Sequence, residues 1–244
     1  MPAPRKQEEM EQVTHARQSF DRDLGHLEAE VILMSGLVEN SIFNALDALK
    51  GRDLELSRRV VEEDERVNKK RYEVEIACVE MLRREAPVAS DLRRIVSILL
   101  ISSELERMGD YAKGIARLSL RMGADAPLKE LVDIPRMAEL SVTMLKRSLE
   151  AFLERDPDAV ERMAASLAGD DDAVDELYSR VQRDLFGLMK KSPDNVERAT
   201  YLLWAAHNVE RIADRATNIA ERAVFQVSGR VVSISGGVTK VQSG

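Results

Sequence analysis

Glu106-Arg-Met-Gly-Asp110-Tyr-Ala-Lys-Gly-Ile115-Ala116 is followed, half a chain later, by Glu210-Arg-Ile-Ala-Asp214-Arg-Ala-Thr-Asn-Ile219-Ala220. The two stretches align without a gap at an offset of 104 (210 minus 106). A second match lies upstream of each, with Asp64, Val67 and Val74 over Asp171, Val174 and Val181 at an offset of 107 (171 minus 64). Two such similar offsets mark one duplicated unit with small length changes in its loops.

Outward from these matches the chain is patterned for helices. Phe20, Leu24, Leu27, Val31, Met34, Val38, Ile42 and Leu46 recur at the alternating three and four spacing of a bundle helix, which should stop near Lys50-Gly51. Asp53 is placed to cap a second helix, whose stripe Val60, Val67, Val74, Cys78 and Met81 ends before Pro87. A third helix starts at about Ser90-Asp91, buries Leu92, Ile95 and Leu99, and runs to Met122-Gly123. After Gly123-Ala-Asp-Ala-Pro127 the plan repeats: a helix opening near Pro135, a break at Arg155-Asp156-Pro157, a helix through Val174, Val181, Leu185 and Leu188, a break at Ser192-Pro193-Asp194, and a last helix to about Phe225. The expected fold is all-α, with six long helices in two tandem three-helix bundles. Residues 15–122 form the first repeat, 130–226 the second, and 227–244, rich in Gly, Ser and Val, a mobile tail or short extended arm.

Composition agrees and narrows the function. Over 244 residues, 44% hydrophobic, 32% charged and only 4% aromatic residues favour long amphipathic helices. The net charge of −7 disfavours nucleic acid and anionic membrane surfaces as partners. Cys78, the one cysteine, lies in the apolar run Ile76-Ala-Cys78-Val and reads as a small buried hydrophobe in a reducing compartment. No apolar run resembles a signal peptide or approaches the ~20 residues of a membrane span, so a cytoplasmic protein is expected.

The chemistry lies where acids interrupt the apolar stripes. Asp64 falls on the stripe of the second helix, and Glu106 and Asp110 continue that of the third. Asp171, Glu210 and Asp214 repeat the arrangement. Residues four apart share a helix face, so Glu106 points with Asp110 and Asp171 with Asp175. If the second and third helices of a unit are antiparallel neighbours, these pairs converge into carboxylate clusters of the kind bundles use for di-iron and related sites. The alternative is that the acids lie at the stripe edge and pair with Arg107, Arg211 or Lys113.

These residues, with Ala86-Pro87-Val-Ala-Ser-Asp91-Leu-Arg93 upstream, resemble the PhoU family of phosphate transport system regulatory proteins over about Phe20 to Phe225. The resemblance implies two three-helix bundles related by pseudo-twofold symmetry, and E/D-x-x-x-D motifs that hold iron or zinc, including multinuclear clusters. Carried over by position, the first metal site comprises Asp64, Asn68, Glu106 and Asp110, and the second Asp171, Asp175, Glu210 and Asp214. Asn68 stands where an acid would complete the first motif, and Ser166-Leu-Ala-Gly169 adds length before the second. The implied role is negative regulation of the phosphate-starvation response, between the ATPase subunit of a phosphate ABC transporter and a membrane sensor histidine kinase. A homodimer without nucleic acid or membrane insertion completes the expected set of partners.

Two other functions fit a helical carboxylate bundle. A ferritin-like di-metal oxidase would use Glu-x-x-His motifs, but Gln12, Asp23 and Trp204 precede His15, His26 and His207 at that spacing. The histidines instead suit exposed, bundle-edge and core-edge places, with His207 able to assist the second site. A metal-free scaffold follows if the acids are ion-paired. Gly109-Asp-Tyr-Ala-Lys-Gly114 lacks the Lys-Ser/Thr of a phosphate-binding loop and falls within a helix, which disfavours a nucleotide hydrolase.

Overall fold

The computed structural model describes residues 4–125, 127–234 and 240–242. Its helices are α1 (Pro4–Gly51), α2 (Leu54–Glu85), α3 (Ala89–Met122), α4 (Asp133–Leu153), α5 (Pro157–Ala165), α6 (Ala168–Lys191) and α7 (Val196–Ser228). A short antiparallel ribbon follows, pairing β1 (Val231–Ser233) with β2 (Lys240–Gln242), with Val232 opposite Val241. The fold is therefore the all-α double bundle with one amendment. The middle rod of the second half is divided into α5 and α6 at Ser166-Leu167, the extra length noted in the sequence. Residues 231–234 of the C-terminal segment lie on the second bundle, with Val232 and Ile234 buried and the Ile234 amide donating to Glu221 Oε1 at 3.0 Å. The rest of the tail, 235–239 and 243–244, lies outside the described residues.

Local chemistry sets the helix ends. Asp53 accepts from the Leu56 amide at 2.9 Å and Asp156 from the Ala159 amide at 3.0 Å, so each half starts its second rod with an acidic N-cap. Pro157 occupies the first turn of α5, where its missing amide proton is harmless. Gly229, in the left-handed conformation at φ 73°, closes α7 by donating its amide to Phe225 O.

The apolar faces meet in one continuous core. The two halves join along α3 and α7, which run antiparallel. Arg93 Nε donates to Gln226 O, Ser97 Oγ to Arg222 O and Arg215 Nη1 to Glu104 Oε2, so numbers rise on one helix as they fall on the other. This crossing relates the halves by an approximate twofold axis. Small buried residues, Ala112 and Ala116 on α3 and Ala205, Ala213, Ala216 and Ala220 on α7, accompany the close approach of the rods. Leu92 is exposed and Leu99 only half-buried, because the inward face of α3 runs through Ile95, Ile98, Ile101, Leu105 and Met108 instead. An apolar stripe read from a helix on its own misses this second inward face, which exists only because α7 packs there.

Candidate metal centre

The acids of each half lie where the inward stripes of the second and third rods come together. In the first half Asp64 of α2 is buried, at 4% exposure, and α3 supplies Glu106 and Asp110. Gly109 permits this approach: a Cβ added there would lie 3.2 Å from Val67 Cγ1 and 3.7 Å from Asp64 Oδ1. Lys113, one turn beyond Gly109, offsets part of the negative charge of the group. Its Nζ donates to Asp64 Oδ2 at 2.6 Å and lies 3.4 Å from Asp110 Oδ1, and Asn68 Nδ2 adds a bond to Asp64 Oδ2 at 3.0 Å. The Asp64 bond holds the lysine above its ordinary range, while burial and then Asp110 push Glu106 up.

The second half repeats the acids without the lysine. Its counterpart, 104 positions on (217 minus 113), is Thr217, whose hydroxyl donates instead to Asp214 O. Asp171 and Asp175 of α6 and Glu210 and Asp214 of α7 share one field of negative charge. Burial, reinforced by Asp175 and Asp214, pushes Asp171 up to about 6. Burial and Asp214 push Glu210 up to about 7 against the opposing pull of Arg211, and Asp175 is raised by burial and Asp214. Arg211 Nη1 binds Asp214 Oδ2 at 2.6 Å on the outer side. Glu210 Oε2 is buried without a hydrogen bond; His207 Nδ1 stands 3.3 Å away, outside bonding geometry.

All eight sequence-derived positions thus fall into two groups, one per half, and the alternative partners Lys113 and Arg211 are engaged as well. Among the described residues no three His, Cys, Asp or Glu side chains already converge on a single metal-sized point. A cation would have to draw the carboxylates together. The second group fits such an ion: four acids, one of them with an orphaned buried oxygen, and no ammonium among them. The first group accepts a cation only if Lys113 swings away. The remaining candidates are inert or peripheral. Cys78 is fully buried, its thiol pushed up to about 12 by burial, and His15 and His26 are exposed.

Comparison with known proteins supplies context for these clusters. Residues 31–119 and 134–223 each match the PhoU domain. The chain is 34% identical over 219 residues to a phosphate-specific transport system accessory protein PhoU homolog of Zymomonas mobilis, covering 90% of this chain and 91% of that protein. It is 37% identical over 216 residues to the same-named homolog of Caulobacter vibrioides, covering 88% and 92%. Among solved structures it resembles the phosphate transport system regulatory protein PhoU from Streptococcus pneumoniae, with TM-score 0.78 and 31% identity over 88% of this chain and 99% of that one. PhoU from Pseudomonas aeruginosa gives TM-score 0.79 and 33% identity over 86% and 99%.

Proposed function

Because this chain belongs to the PhoU family, we propose that it is a metal-binding regulator of phosphate uptake and of the response to phosphate starvation. The names of its relatives support the phosphate role. The observation that carries the metal reading is the second acidic group, in which Glu210 keeps a buried oxygen unsatisfied among three other carboxylates. Several like charges brought together this way favour a cation, which would neutralise them and complete the missing coordination.

Asp171, Asp175, Glu210 and Asp214 would hold the ion, with iron or zinc the metals to test first. The bound metal would supply charge neutralisation and a cross-link between α6 and α7. Asp64, Glu106 and Asp110, with Asn68 as a neutral ligand, would form a weaker second site after Lys113 is displaced. The protein's role is regulatory rather than catalytic: its broad helical faces suit docking of cytoplasmic partner domains. Those partners would be the ATPase subunit of a phosphate ABC transporter and a membrane sensor histidine kinase, with the chain acting as a homodimer and as a negative regulator. Among the described residues no helix is long and apolar enough to cross a membrane, so membrane contact would run through those partners.

Metal analysis of protein purified without a histidine tag or chelator tests the site. Iron or zinc should be present, and the double variant Glu210→Ala, Asp214→Ala should lose the ion of the second half while its far-ultraviolet circular dichroism stays helical. Unchanged metal content in the variant sinks the ligand assignment. Absence of metal in the parent protein would favour the scaffold reading, which the ion pairs of Lys113 and Arg211 already serve. Deletion in the source organism should leave phosphate-responsive genes active in abundant phosphate; normal repression would remove the regulatory claim.

A further inference from the structure

Past Gly229 the chain runs back along α7 as an extended segment, and between that segment and α5 it leaves a cavity of about 320 Å³. The walls are Ala164 and Ala165 of α5, Val224 of α7, and Val232 and Ile234 of the returning segment. All but Ala165 are buried, at 1–5% exposure. The wall made by the returning segment is held from both ends. The Ile234 amide donates to Glu221 Oε1 at 3.0 Å, and Arg230 forms an ion pair with Glu161 of α5.

Residue size explains the opening. Two adjacent alanines at the end of α5 leave unfilled a space that larger side chains would close, whereas protein interiors are ordinarily filled to the density of organic crystals. The volume falls within the range of about 300–1,000 Å³ typical of sites for small molecules. Water inside it meets few polar partners, so an apolar group displaces that water favourably.

The rim is charged, and unevenly. Glu161, Arg162 and Arg230 border the cavity and all three reach solvent. Glu161 and Arg230 offset one another through their ion pair. Among the described residues Arg162 has neither an ion pair nor a side-chain hydrogen bond. One net positive charge therefore stands beside an apolar hollow, in a chain whose overall charge is −7. That combination selects both ends of a ligand: an uncharged head leaves Arg162 without a partner, and a cationic one is repelled by it.

We propose that this cavity binds a small dissolved amphiphile with a hydrocarbon chain and an anionic head, such as a medium-chain carboxylate. The chain lies against the aliphatic walls, and the head is taken by Arg162, whose planar guanidinium offers paired N–H donors to a carboxylate. None of the lining residues belongs to either acidic group, so the site stands independently of the metal reading.

The test titrates sodium octanoate into the full chain near neutral pH, below the concentration at which the probe forms micelles, with heat of binding and Tm as readouts. Saturable binding with a rising Tm is expected. Arg162→Gln should weaken it about tenfold, because the charge-assisted bonds are lost. Octanol, which has the chain without the charge, should bind the parent about tenfold more weakly or worse. Ala165→Leu, which adds bulk to one wall, should remove the response; if that variant does not fold, Arg162→Gln and octanol decide. Phosphatidylglycerol vesicles should leave the parent chain in the supernatant. The proposal is overturned if the parent gives no saturable response to octanoate, if octanol matches octanoate, or if either variant keeps the parent's affinity. Sedimentation of the parent with the vesicles would also overturn it, by placing the anionic head in a membrane rather than in solution.

Discussion

Glu210 and Asp171 make stability depend on pH in an unusual direction. Each binds its proton more tightly in the folded chain, at about 7 and about 6, than an unfolded carboxyl does at roughly 4. A raised carboxyl contributes stability that is full below the unfolded value and is lost as pH rises through the folded one. Chelator-treated protein should therefore weaken between about pH 4 and pH 7. Glu210→Gln should flatten that decline and gain on the order of 2 kcal/mol near pH 7.5, with little change near pH 4.5. Denaturant titrations at the two pH values check this, and equal stability of variant and parent near pH 7.5 would refute it. Iron or zinc should restore the parent more than the variant. The acids themselves were legible in the sequence, from spacing and repetition. Their unequal neutralisation was not: Lys113 and Thr217 occupy matching positions, but only packing shows the lysine reaching across to Asp64.

At the scale of the element, caps and junctions determine where the rods begin. Asp53 and Asp156 satisfy amides that would otherwise lack partners at the starts of α2 and α5. Asp53→Ala and Asp156→Ala should each cost about 1 kcal/mol, and the double variant about twice that, because the sites are separate. Chemical denaturation measures both, and an effect near zero would mean that solvent satisfies those amides equally well. The caps were readable from Asp next to a helical pattern. The division of the second half's middle rod into α5 and α6 was visible only as surplus length. Leu167 is fully buried at that joint, and Arg147 of α4 binds Ser166 and Asp170 across it. Those contacts reach from another helix, so no local pattern encodes them.

Across the whole molecule, Glu28 ties the first bundle to the second. Its carboxylate joins α1 to α3 and to the α4–α5 connection, beside Gln226 of α7, whose Nε2 donates to Phe152 O at 3.0 Å. Removing one member of a largely buried ion network leaves the others uncompensated. Glu28→Ala should cost about 2–3 kcal/mol, below the range for fully buried pairs because Arg155 remains partly exposed. Hydrogen exchange should show the loosening first at the starts of α3 and α5. A loss under about 0.5 kcal/mol, the usual size for surface changes, would mean that the apolar α3–α7 seam alone holds the halves together.

Periodicity, caps and an internal repeat are local or self-referential properties, and from them the sequence by itself determined the helical class, the twofold plan and the positions of the acids. Each of those signals is written in the spacing of residues along one rod, or in the recurrence of one rod further along the chain. Which face of α3 turns inward and which acidic group keeps its charge uncompensated were decided by the tertiary structure alone. These depend on distances between rods. The duplicated sequence supplies the same acids to both halves, but only packing sets Lys113 against one of the two groups.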